Sequence, residues 1–458
     1  MNFGHIKNIH FVGIGGIGMS GLAEILTSWG FQVTGCDAAA SPTTDRLGRG
    51  GIQVAIGHDP EHAERADLLV VSSAIRKNHR ELEKAREIHV PVVRRAEMLG
   101  EVTRLKRAVA VAGTHGKTTT SAMIAVVLAE GGLDPTLIVG GVLRNLATNA
   151  RVGSGEYLVV EADEYDRSFL TLNPTIAVVT NIEADHLDIY KDLDDIRQTF
   201  GEFASRVPFY GMVIGCADDE NVRALLGGIQ KRTIRYGLSE EASFRAVDLT
   251  FEERGAKFAV EADGKRLGEV ALGVPGDHNV RNALAALAVA LEVGIPFEKA
   301  AAGIARFEGV ERRFQILGEA GGTIIIDDYA HHPTEVRATL DAARRGWSGR
   351  RIVALFQPHL YSRTRDFAGD FAEALSSADL AWVAPIYPAR EEPIEGVTSA
   401  LITDAATRGG WTSIRAVEGN LDEITEEIRA ELGPNDLFLT MGAGDVHRVS
   451  ESLAGGER

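Results

Sequence analysis

Short apolar runs alternate with amphipathic stretches along almost the whole chain. In the first block, runs typical of buried strands lie at residues 8–12, 32–35, 68–71 and 90–93, with helical patterns between them. Strands that alternate with helices are typical of a parallel sheet covered by helices on both faces. The pattern therefore predicts a first α/β domain over residues 1–107.

Two further blocks repeat this alternation. The strand-like runs of the second lie at residues 108–112, 157–160, 175–180 and 211–215. Residues 243–270 alternate apolar and polar positions one by one, which predicts a small antiparallel ribbon. The runs of the third lie at residues 323–326, 351–356, 380–384 and 437–440. We expect an α/β protein of three domains, with a central domain at 108–312 and a C-terminal domain at 313–458.

Length and composition agree with this division and exclude several classes of protein. A chain of 458 residues fits about three domains. Its net charge of −17 opposes binding to nucleic acid or to an anionic membrane, so anionic ligands need local sites. The two cysteines, Cys36 and Cys216, lack metal-knuckle spacing, and no apolar stretch approaches a membrane span of ~18 residues. We expect a soluble, unprocessed protein of the reducing cytoplasm.

A phosphate-binding loop follows the strand at 108–112. Glycines turn backbone N–H groups toward one anion, Lys117 reaches the outer phosphates, and the Thr118 hydroxyl is suited to Mg²⁺. Val111 stands where such loops usually have their first glycine, so the loop is a shortened form. A helix over 119–130 would place the phosphates at its N-terminus. The phosphate loop consists of Gly113, Thr114, His115, Gly116, Lys117, Thr118 and Thr119.

A second glycine motif follows the first strand of the chain. It consists of Gly13, Gly15, Gly16 and Gly18, and a helix follows it. Asp37 closes the next strand, as in the dinucleotide fingerprint. This geometry suits the pyrophosphate of NAD or of a nucleotide sugar equally well. Ser72 and Ser73 end the third strand, where they either bind the same ligand or form an ordinary turn.

The ends of two central strands carry candidate metal ligands. Glu161 ends the strand at 157–160 and is the leading Mg²⁺ ligand, whereas Asp163 and Glu164 are expected in a solvated turn. His186 follows the strand at 175–179, where it would bind a second divalent ion or the transferring phosphoryl group. The alternative is a structural histidine.

The polar motifs nearer the C-terminus leave more alternatives open. Asn279 has a donor and an acceptor that match an adenine edge, although Asp277 of the same motif would also make a good helix N-cap. Arg313 lies at a domain boundary, from which an arginine reaches a γ-phosphate on closure, or it belongs to a solvated face. His359 and Arg363 follow a strand and would clamp a carboxylate. Residues 327–335 are interpreted as polar ligand contacts.

Eight of these stretches occur together in the order found in one family. They are GIGGIGMSGLAEIL, GTHGKTTT, VVEADE, NIEADHLD, GDHNVRNALAA, GVERRFQ, DDYAHHPTE and FQPHLYSRT. In this set the chain resembles the Mur ligases of bacterial cell-wall synthesis, and in particular the branch that adds L-alanine. The resemblance implies a Rossmann-like N-terminal domain for the UDP moiety, a central P-loop ATPase-like domain, and a Rossmann-like C-terminal domain for the amino acid.

The resemblance also implies the ligands and the residues that bind them. The implied cofactors are ATP and Mg²⁺, and the implied substrates are the small molecules UDP-N-acetylmuramate and L-alanine. The protein is implied to be a monomer or a homodimer. Lys117, His186 and Arg313 are implied in catalysis, and Thr118, Glu161 and His186 in metal binding. The UDP-sugar site is implied to contain Gly13, Gly15, Gly16, Gly18, Asp37, His58, Ser72 and Ser73. The ATP site is implied to contain residues 113–119, Asn279 and Arg313, and the amino-acid site His359 and Arg363.

Three departures from related ligases are visible in the sequence. Residues 193–205 contain no lysine, so the carbamylated lysine of several relatives is absent here, as expected of the alanine-adding branch. Ala330 replaces a common glycine and Leu360 a common arginine.

The expected reaction is amide formation through an acyl phosphate. An amine does not displace oxide from a carboxylate at neutral pH, so ATP first phosphorylates the carboxylate, and Lys117 and Mg²⁺ stabilise the charge of that transfer. The alternatives are a recycling ligase that adds a ready-made tripeptide, an NAD oxidoreductase, and a nucleotide-controlled switch without catalysis.

Overall fold

The computed structural model describes residues 3–72, 74–144, 148–186, 189–389 and 391–455. Its strands form three main sheets, one in each of the predicted blocks. Strands are parallel at the centre of every sheet, and helices connect them, so the α/β fold class expected from the sequence is confirmed. None of the described helices is long and apolar enough to cross a lipid bilayer.

The first sheet places the first glycine motif at the carboxyl end of its central strand. Its elements are β1 Asn8–Val12, α1 Ile17–Ser28, β2 Gln32–Asp37, α2 Pro42–Arg49, β3 Gln53–Ile56, α3 Glu61–Glu64, β4 Leu68–Val71, α4 Arg80–Glu87, β5 Val92–Arg94 and α5 Arg95–Arg104. The strand order is β3-β2-β1-β4-β5, and all neighbours are parallel. The order reverses beside β1, and such switch points are where α/β sheets bind ligands.

The second sheet places the phosphate loop in the same way. Its elements are β6 Arg107–Ala112, α6 Lys117–Glu130, β7 Thr136–Leu143, β8 Thr148–Arg151, β9 Tyr157–Glu161, a 3₁₀ segment Tyr165–Thr171, β10 Ile176–Val179, α7 Leu193–Ser205, β11 Met212–Cys216, α8 Glu220–Gly228 and β12 Arg232–Gly237. The order β12-β11-β10-β6-β9-β7-β8 puts β6 between β9 and β10. The loops that follow these three strands therefore lie side by side.

Three longer strands and two helices complete the central block. They are β13 Phe244–Glu252, β14 Gly255–Ala262, β15 Lys265–Leu272, α9 Asp277–Glu292 and α10 Phe297–Ala305. The three strands are neighbours in sequence order and two-residue turns join them, which requires antiparallel pairing. The predicted ribbon at 243–270 is confirmed.

The third sheet belongs to the C-terminal block. Its elements are β16 Gln315–Ala320, β17 Thr323–Asp328, α11 Pro333–Gly346, β18 Arg351–Phe356, α12 Tyr361–Leu375, β19 Leu380–Val383, α13 Ala400–Arg408, β20 Ile414–Ala416, α14 Leu421–Glu431, β21 Asp436–Met441 and α15 His447–Ala454. The order is β16-β17-β21-β18-β19-β20, with only β16 antiparallel to its neighbour. Buried side chains line both faces of the central strands.

Packing divides the chain into two compact units. Unit 1 comprises residues 1–247, 260–268 and 281–306, and unit 2 comprises 248–259, 269–280 and 307–458. The first two sheets share unit 1 and one continuous hydrophobic core. Met98 and Leu99 of α5 belong to this core, as do Phe169 of the 3₁₀ segment and Leu172, which follows it. The predicted domain boundaries at 107/108 and 312/313 stay predictions.

Candidate active site

The first glycine loop, residues 13–18, is held by the strand beside it. Gly13 has φ +80°, and its N–H donates to the Cys36 carbonyl at 2.9 Å. The Asp37 carboxylate accepts the Gly15 N–H at 2.8 Å, and a Cβ on Gly15 would lie within 2.8 Å of the same oxygen. Gly16 then precedes α1 as its N-cap. The loop therefore brings its backbone and a helix N-terminus to one point, as a pyrophosphate site requires.

Two predicted neighbours of this loop lie on adjoining elements, and a third is not described. Ser72 follows β4, and its Cβ lies 3.2 Å from the position of a Cβ on Gly13. The His58 Nδ1 lies 3.2 Å from Cys36 Sγ at the carboxyl end of β2. Ser73 falls outside the described residues.

Arg95 is a neighbour of the glycine loop that sequence reasoning missed. A Cβ on Gly18 would lie 2.8 Å from Arg95 Nη1, so the guanidinium covers the first turn of α1. This cation also lines a cleft with Glu161 and Asp163 of the second sheet. Arg95 therefore connects the glycine loop with the carboxylates of the central block. The sequence signal that could have identified Arg95 as a site residue is its position directly after β5, because ligand-binding residues collect at the carboxyl ends of parallel strands.

The phosphate loop is fixed by the segment that follows β10. Asn181 accepts the Thr114 N–H on its backbone carbonyl at 3.1 Å and the His115 N–H on its side chain at 2.8 Å. The Thr180 hydroxyl donates to the His115 carbonyl at 2.6 Å. Gly113 has φ +143°, and a Cβ there would overlap Thr180 Oγ1. The strand and helix predicted around this loop are both present as β6 and α6.

Lys117 begins α6 and bends back over the loop. Its ammonium donates to the carbonyls of Gly113 at 2.7 Å and Thr114 at 3.2 Å, and it pairs with Glu164 at 2.7 Å. Burial opposes the charge, but the carboxylates of Glu164, Asp163 and Glu161 together outweigh it and raise the pKa of Lys117. Lys117 is therefore a permanent cation at the point where the outer phosphates of a nucleotide would lie.

The prediction that Glu164 lies in a solvated turn is wrong. Its side chain is only 4% exposed, and it forms the ion pair with Lys117. The Tyr190 hydroxyl donates to the Glu164 carbonyl at 2.6 Å and fixes the backbone there. Asp163, by contrast, is exposed, as expected. The sequence placed the acidic turn correctly, but the approach of Lys117 is a tertiary contact that no local pattern reveals.

Glu161 and Thr118 together suit a divalent cation. Glu161 ends β9 and accepts hydrogen bonds from the Thr118 hydroxyl and the Gly140 N–H. Its Oε1 is buried and has no hydrogen-bond partner among the described residues. Burial raises the pKa of Glu161, while Thr118 and the charge of Lys117 lower it. A carboxylate oxygen with an open coordination position beside a hydroxyl is the donor set that Mg²⁺ prefers.

His186 lies next to the Glu164 carboxylate. Its Nε2 is 3.7 Å from Glu164 Oε1 and 3.8 Å from Asp185 Oδ2. The residue has φ +54°, an uncommon conformation for a side chain other than glycine. The Tyr165 ring packs edge-on against the imidazole at 5.2 Å. His186 is thus held against the carboxylate that binds Lys117, within the group that surrounds the phosphate loop.

The helix α9 carries the predicted adenine ligand. The Asn279 amide is buried and donates to the Pro275 carbonyl at 2.7 Å. One helical turn later, Asn282 accepts the Thr120 hydroxyl at 3.0 Å, which ties α9 to α6 behind the phosphate loop. Asp277 is the first residue of α9 rather than the cap before it, and it pairs with Arg345 at 2.7 Å.

Arg313 lies at the entrance to the third sheet. Its Nη1 is 3.4 Å from Glu335, and its guanidinium lies 5.2 Å from the centre of the Tyr329 ring. Asp328 is buried beside it and accepts the N–H groups of Phe314 at 2.8 Å and Ala330 at 2.7 Å. The charged group of Arg313 is therefore oriented by a carboxylate and an aromatic face.

His359 and Arg363 come together beside His331. The His359 ring stacks on Tyr387 at 6.0 Å and meets the His331 ring at 5.8 Å. Burial is the main cause that lowers the pKa of His331 to about 4; Glu335 opposes this shift and the charge of Arg363 adds to it. Between the two residues, Leu360 has φ +72°, a strained conformation that is typical of functional sites. A buried guanidinium beside the neutral His331 ring suits a small carboxylate.

Three domain families match consecutive parts of the chain. The match described as "Mur ligase family, catalytic domain" covers residues 8–107, "Mur ligase middle domain" covers 111–290, and "Mur ligase, glutamate ligase domain" covers 312–444. The UDP-N-acetylmuramate–L-alanine ligase of Geobacter sp. (strain M21) is 49% identical over 451 residues, which are 98% of each chain. The chain belongs to the Mur ligase family.

Solved Mur ligase structures share the fold along almost the whole chain. The crystal structure of UDP-N-acetylmuramate-alanine ligase MurC from Thermotoga maritima has a TM-score of 0.80 and 32% identity, over 98% of this chain and 99% of the other. The murein peptide ligase of Psychrobacter arcticus 273-4 has a TM-score of 0.69 and 26% identity, over 99% of each chain. The Mur ligase resemblance and its three-domain α/β architecture are confirmed.

Asp328 gives the C-terminal part of this Mur ligase a predictable pH dependence. Burial raises the pKa of Asp328 to about 6, although Arg313 and two N–H groups lower it. A carboxyl with a raised folded-state pKa stabilises the fold fully below about pH 4, and this contribution is lost as the pH rises to about 6. The wild-type protein should therefore lose stability over this range relative to Asp328→Asn, by on the order of 2–3 kcal/mol.

The measurement is denaturant unfolding of both proteins between pH 4 and pH 7, followed by tryptophan fluorescence. All other ionisable groups are common to the two proteins, so the difference between their midpoints isolates Asp328. A difference that stays constant over this range would contradict the raised pKa.

Proposed function

We propose that this Mur ligase is an ATP-dependent carbon–nitrogen ligase that joins the lactyl carboxylate of UDP-N-acetylmuramate to L-alanine, releasing ADP and phosphate, in the synthesis of peptidoglycan precursors. The observation that carries the proposal is the cleft in unit 1, where Arg95 covers the first glycine loop and also faces Glu161 beside the phosphate loop. A sugar nucleotide on that loop would present an acid to the terminal phosphate of ATP. The cytoplasm, where these nucleotides are made, is the expected location.

The first half-reaction is phosphoryl transfer to the carboxylate. The carboxylate attacks the γ-phosphorus, the bond to the β–γ bridging oxygen breaks, and ADP leaves. Lys117 stays cationic next to Glu164, so it neutralises charge on the outer phosphates without gaining or losing a proton. Thr118, Glu161 and His186 would hold Mg²⁺, which supplies further neutralisation when bound.

The second half-reaction is attack of the alanine amine on the acyl phosphate. A tetrahedral intermediate forms and loses phosphate, which leaves the amide. We assign the alanine carboxylate to His359 and Arg363, because Arg363 is a buried cation and His359 lies beside the same His331 ring. Arg313 is assigned to the ATP phosphates and Asn279 to adenine. These assignments place the substrates on the three proposed domains, 1–107, 108–312 and 313–458, so that positioning is the main catalytic task.

Phosphate release tests the function directly. The full-length protein is incubated with UDP-N-acetylmuramate, ATP and Mg²⁺, and L-alanine, glycine, L-serine or L-alanyl-γ-D-glutamyl-meso-diaminopimelate is added in turn. We expect L-alanine to give the highest kcat/KM. Preference for the tripeptide would identify a recycling ligase, and nucleotide binding without amine-dependent release would identify a switch. Either result would overturn the proposal.

A further inference from the structure

A buried group of metal-binding side chains lies in the first sheet, behind the glycine loop. It consists of His10 on β1, Cys36 at the end of β2, His62 on α3 and Glu81 on α4. We call it the β1–α4 cluster. β1 and β2 are in parallel register, with Val12 opposite Cys36, so His10 and Cys36 project from the same face of the sheet. The two helices cover that face and supply the other two side chains. None of these residues has a part in the proposed reaction.

The donor atoms of the β1–α4 cluster converge on one point. One ligand atom from each of the four residues lies within 4.8 Å of all the others. Cys36 Sγ is 3.3 Å from Glu81 Oε1, His62 Nδ1 is 3.1 Å from the same oxygen, and His10 Nε2 is 3.9 Å from Glu81 Oε2. The cluster is thus assembled by the fold from four separate elements.

Two of these separations are those of a tetrahedral zinc site. With Zn–N and Zn–O bonds of about 2.0 Å and a Zn–S bond of about 2.3 Å, tetrahedral angles put N and O about 3.3 Å apart and S and O about 3.5 Å apart. The contacts that Cys36 and His62 make with Glu81 Oε1 already match, whereas His10 Nε2 faces the other oxygen, Oε2, at 3.9 Å and would have to move toward Oε1. Two imidazoles, a thiolate and a carboxylate are also the ligand types that Zn²⁺ takes.

His10 provides the observation that points to a ligand. Its side chain is almost fully buried, and the ring is oriented by a 2.8 Å hydrogen bond between Nδ1 and the Thr34 hydroxyl. Nε2 is thereby turned into the cluster, where it has no hydrogen-bond partner among the described residues. Burial lowers the pKa of His10 to about 4, so the ring is neutral, and the tautomer in which Nδ1 donates to Thr34 Oγ1 directs the Nε2 lone pair into the cluster. A hydrogen bond from the second ring nitrogen to a neighbouring group is typical of metal-bound histidines.

The other polar groups described around the cluster do not hydrogen-bond to His10 Nε2. The Asp59 N–H donates to Glu81 Oε1 at 2.9 Å, which orients the carboxylate. His58 Nδ1 approaches Cys36 Sγ at 3.2 Å from the side, and the His79 ring packs edge-on against His58 at 4.5 Å. Burial and the charge of Glu81 raise the pKa of Cys36, so the thiol is protonated without a metal. On binding, the thiol proton passes to solvent and the sulfur bonds to the metal.

The structure assigns a structural zinc site to His10, Cys36, His62 and Glu81. Its consequence for the glycine loop follows from the backbone of β2. The Cys36 carbonyl accepts the N–H groups of Gly13 and Ile14, and Asp37 accepts that of Gly15. A metal bonded to Cys36 would therefore stiffen the strand end that holds the loop open for its ligand. The inference does not depend on the proposed ligase activity.

Cobalt substitution tests the site in the full-length protein, purified without a histidine tag and treated with a chelator. One equivalent of Co²⁺ should produce a sulfur-to-cobalt charge-transfer band and the intense visible bands of tetrahedral Co²⁺, and Zn²⁺ should remove both. Cys36→Ser should abolish the charge-transfer band. Cys216→Ser is the matched control, because Cys216 is the other buried cysteine and lies outside the cluster, so its variant should keep the full spectrum.

A second variant covers the case in which Cys36→Ser does not fold. His62 lies on a four-residue helix and its side chain is 22% exposed, so His62→Asn should preserve the core. It should weaken Zn²⁺ binding, measured by competition with a chromogenic chelator, by at least about 100-fold, because second-shell changes alone cost 10–100-fold. No tetrahedral spectrum in the wild-type protein, a spectrum unchanged by Cys36→Ser, or equal Zn²⁺ affinity for His62→Asn would each overturn the assignment.

Discussion

Lys117→Ala should abolish alanine-dependent phosphate release, with kcat reduced by at least about 10³-fold, while the affinity for UDP-N-acetylmuramate stays unchanged. The ammonium lies among the carbonyls of the phosphate loop and is the cation best placed for the outer phosphates. The hydrogen bonds described for Lys117 go to Gly113, Thr114 and Glu164 of the second sheet, so binding of the sugar nucleotide at the first glycine loop should survive. Steady-state phosphate release and calorimetric titration with UDP-N-acetylmuramate provide the two readouts.

Lys257→Ala is the control for this prediction. Lys257 forms an exposed ion pair with Glu252 on the ribbon, and such pairs contribute little to stability or activity. The Lys257→Ala variant should therefore keep the wild-type kcat. Phosphate release by Lys117→Ala at the wild-type rate would remove this residue from the catalytic role and, with it, the assigned use of the loop.

Gly113→Ala should unfold the phosphate loop. The new Cβ would overlap Thr180 Oγ1 and lie about 3 Å from the Asn181 backbone, and φ +143° is unfavourable for alanine. Overpacking and backbone strain together predict a loss of about 3 kcal/mol or more in the free energy of unfolding, with loss of ATP binding. Thermal unfolding and nucleotide titration measure the two effects.

Two companion variants separate the clash from the backbone effect. Gly132→Ala also places alanine at positive φ, +83°, but nothing lies within 4 Å of its Cβ, so it should cost only about 1 kcal/mol. Adding Thr180→Ala to Gly113→Ala removes the nearest clashing atom and should restore part of the stability. Equal losses for Gly113→Ala and Gly132→Ala would show that the contact with Thr180 is unimportant.

The sequence predicted the central strands well because burial on both faces leaves a continuous apolar run. β4, β6 and β10 are of this kind, and their predicted and observed bounds differ by one residue at most at either end. Edge strands such as β3, Gln53–Ile56, were missed. Both faces of β3 are only partly covered, so its side chains are partly exposed and its pattern resembles that of a loop.

The candidate site shows the same contrast between features that the local sequence predicts and features that it misses. Loops that directly follow central strands could be assigned from spacing alone, because the strand fixes where the loop begins. The position after β5 was a signal for Arg95, but its contact with Gly18, like that of Glu164 with Lys117, could not be assigned in this way. Gly18 and Lys117 are distant in the chain from these partners, and each pair meets only when its own sheet is assembled. The cluster around Cys36 escaped for the same reason, since its four ligands come from four elements.

The core that the first two sheets share makes them one cooperative folding unit. The Thr171 hydroxyl donates to the Ala96 carbonyl at 2.8 Å, and the Asn173 N–H donates to Thr103, so polar bonds reinforce the apolar contact between α5 and the 3₁₀ segment. A ligand that binds only the native state stabilises everything that unfolds with its site. A sugar nucleotide bound at the proposed site on the first sheet would therefore also protect the proposed ATP loop against unfolding.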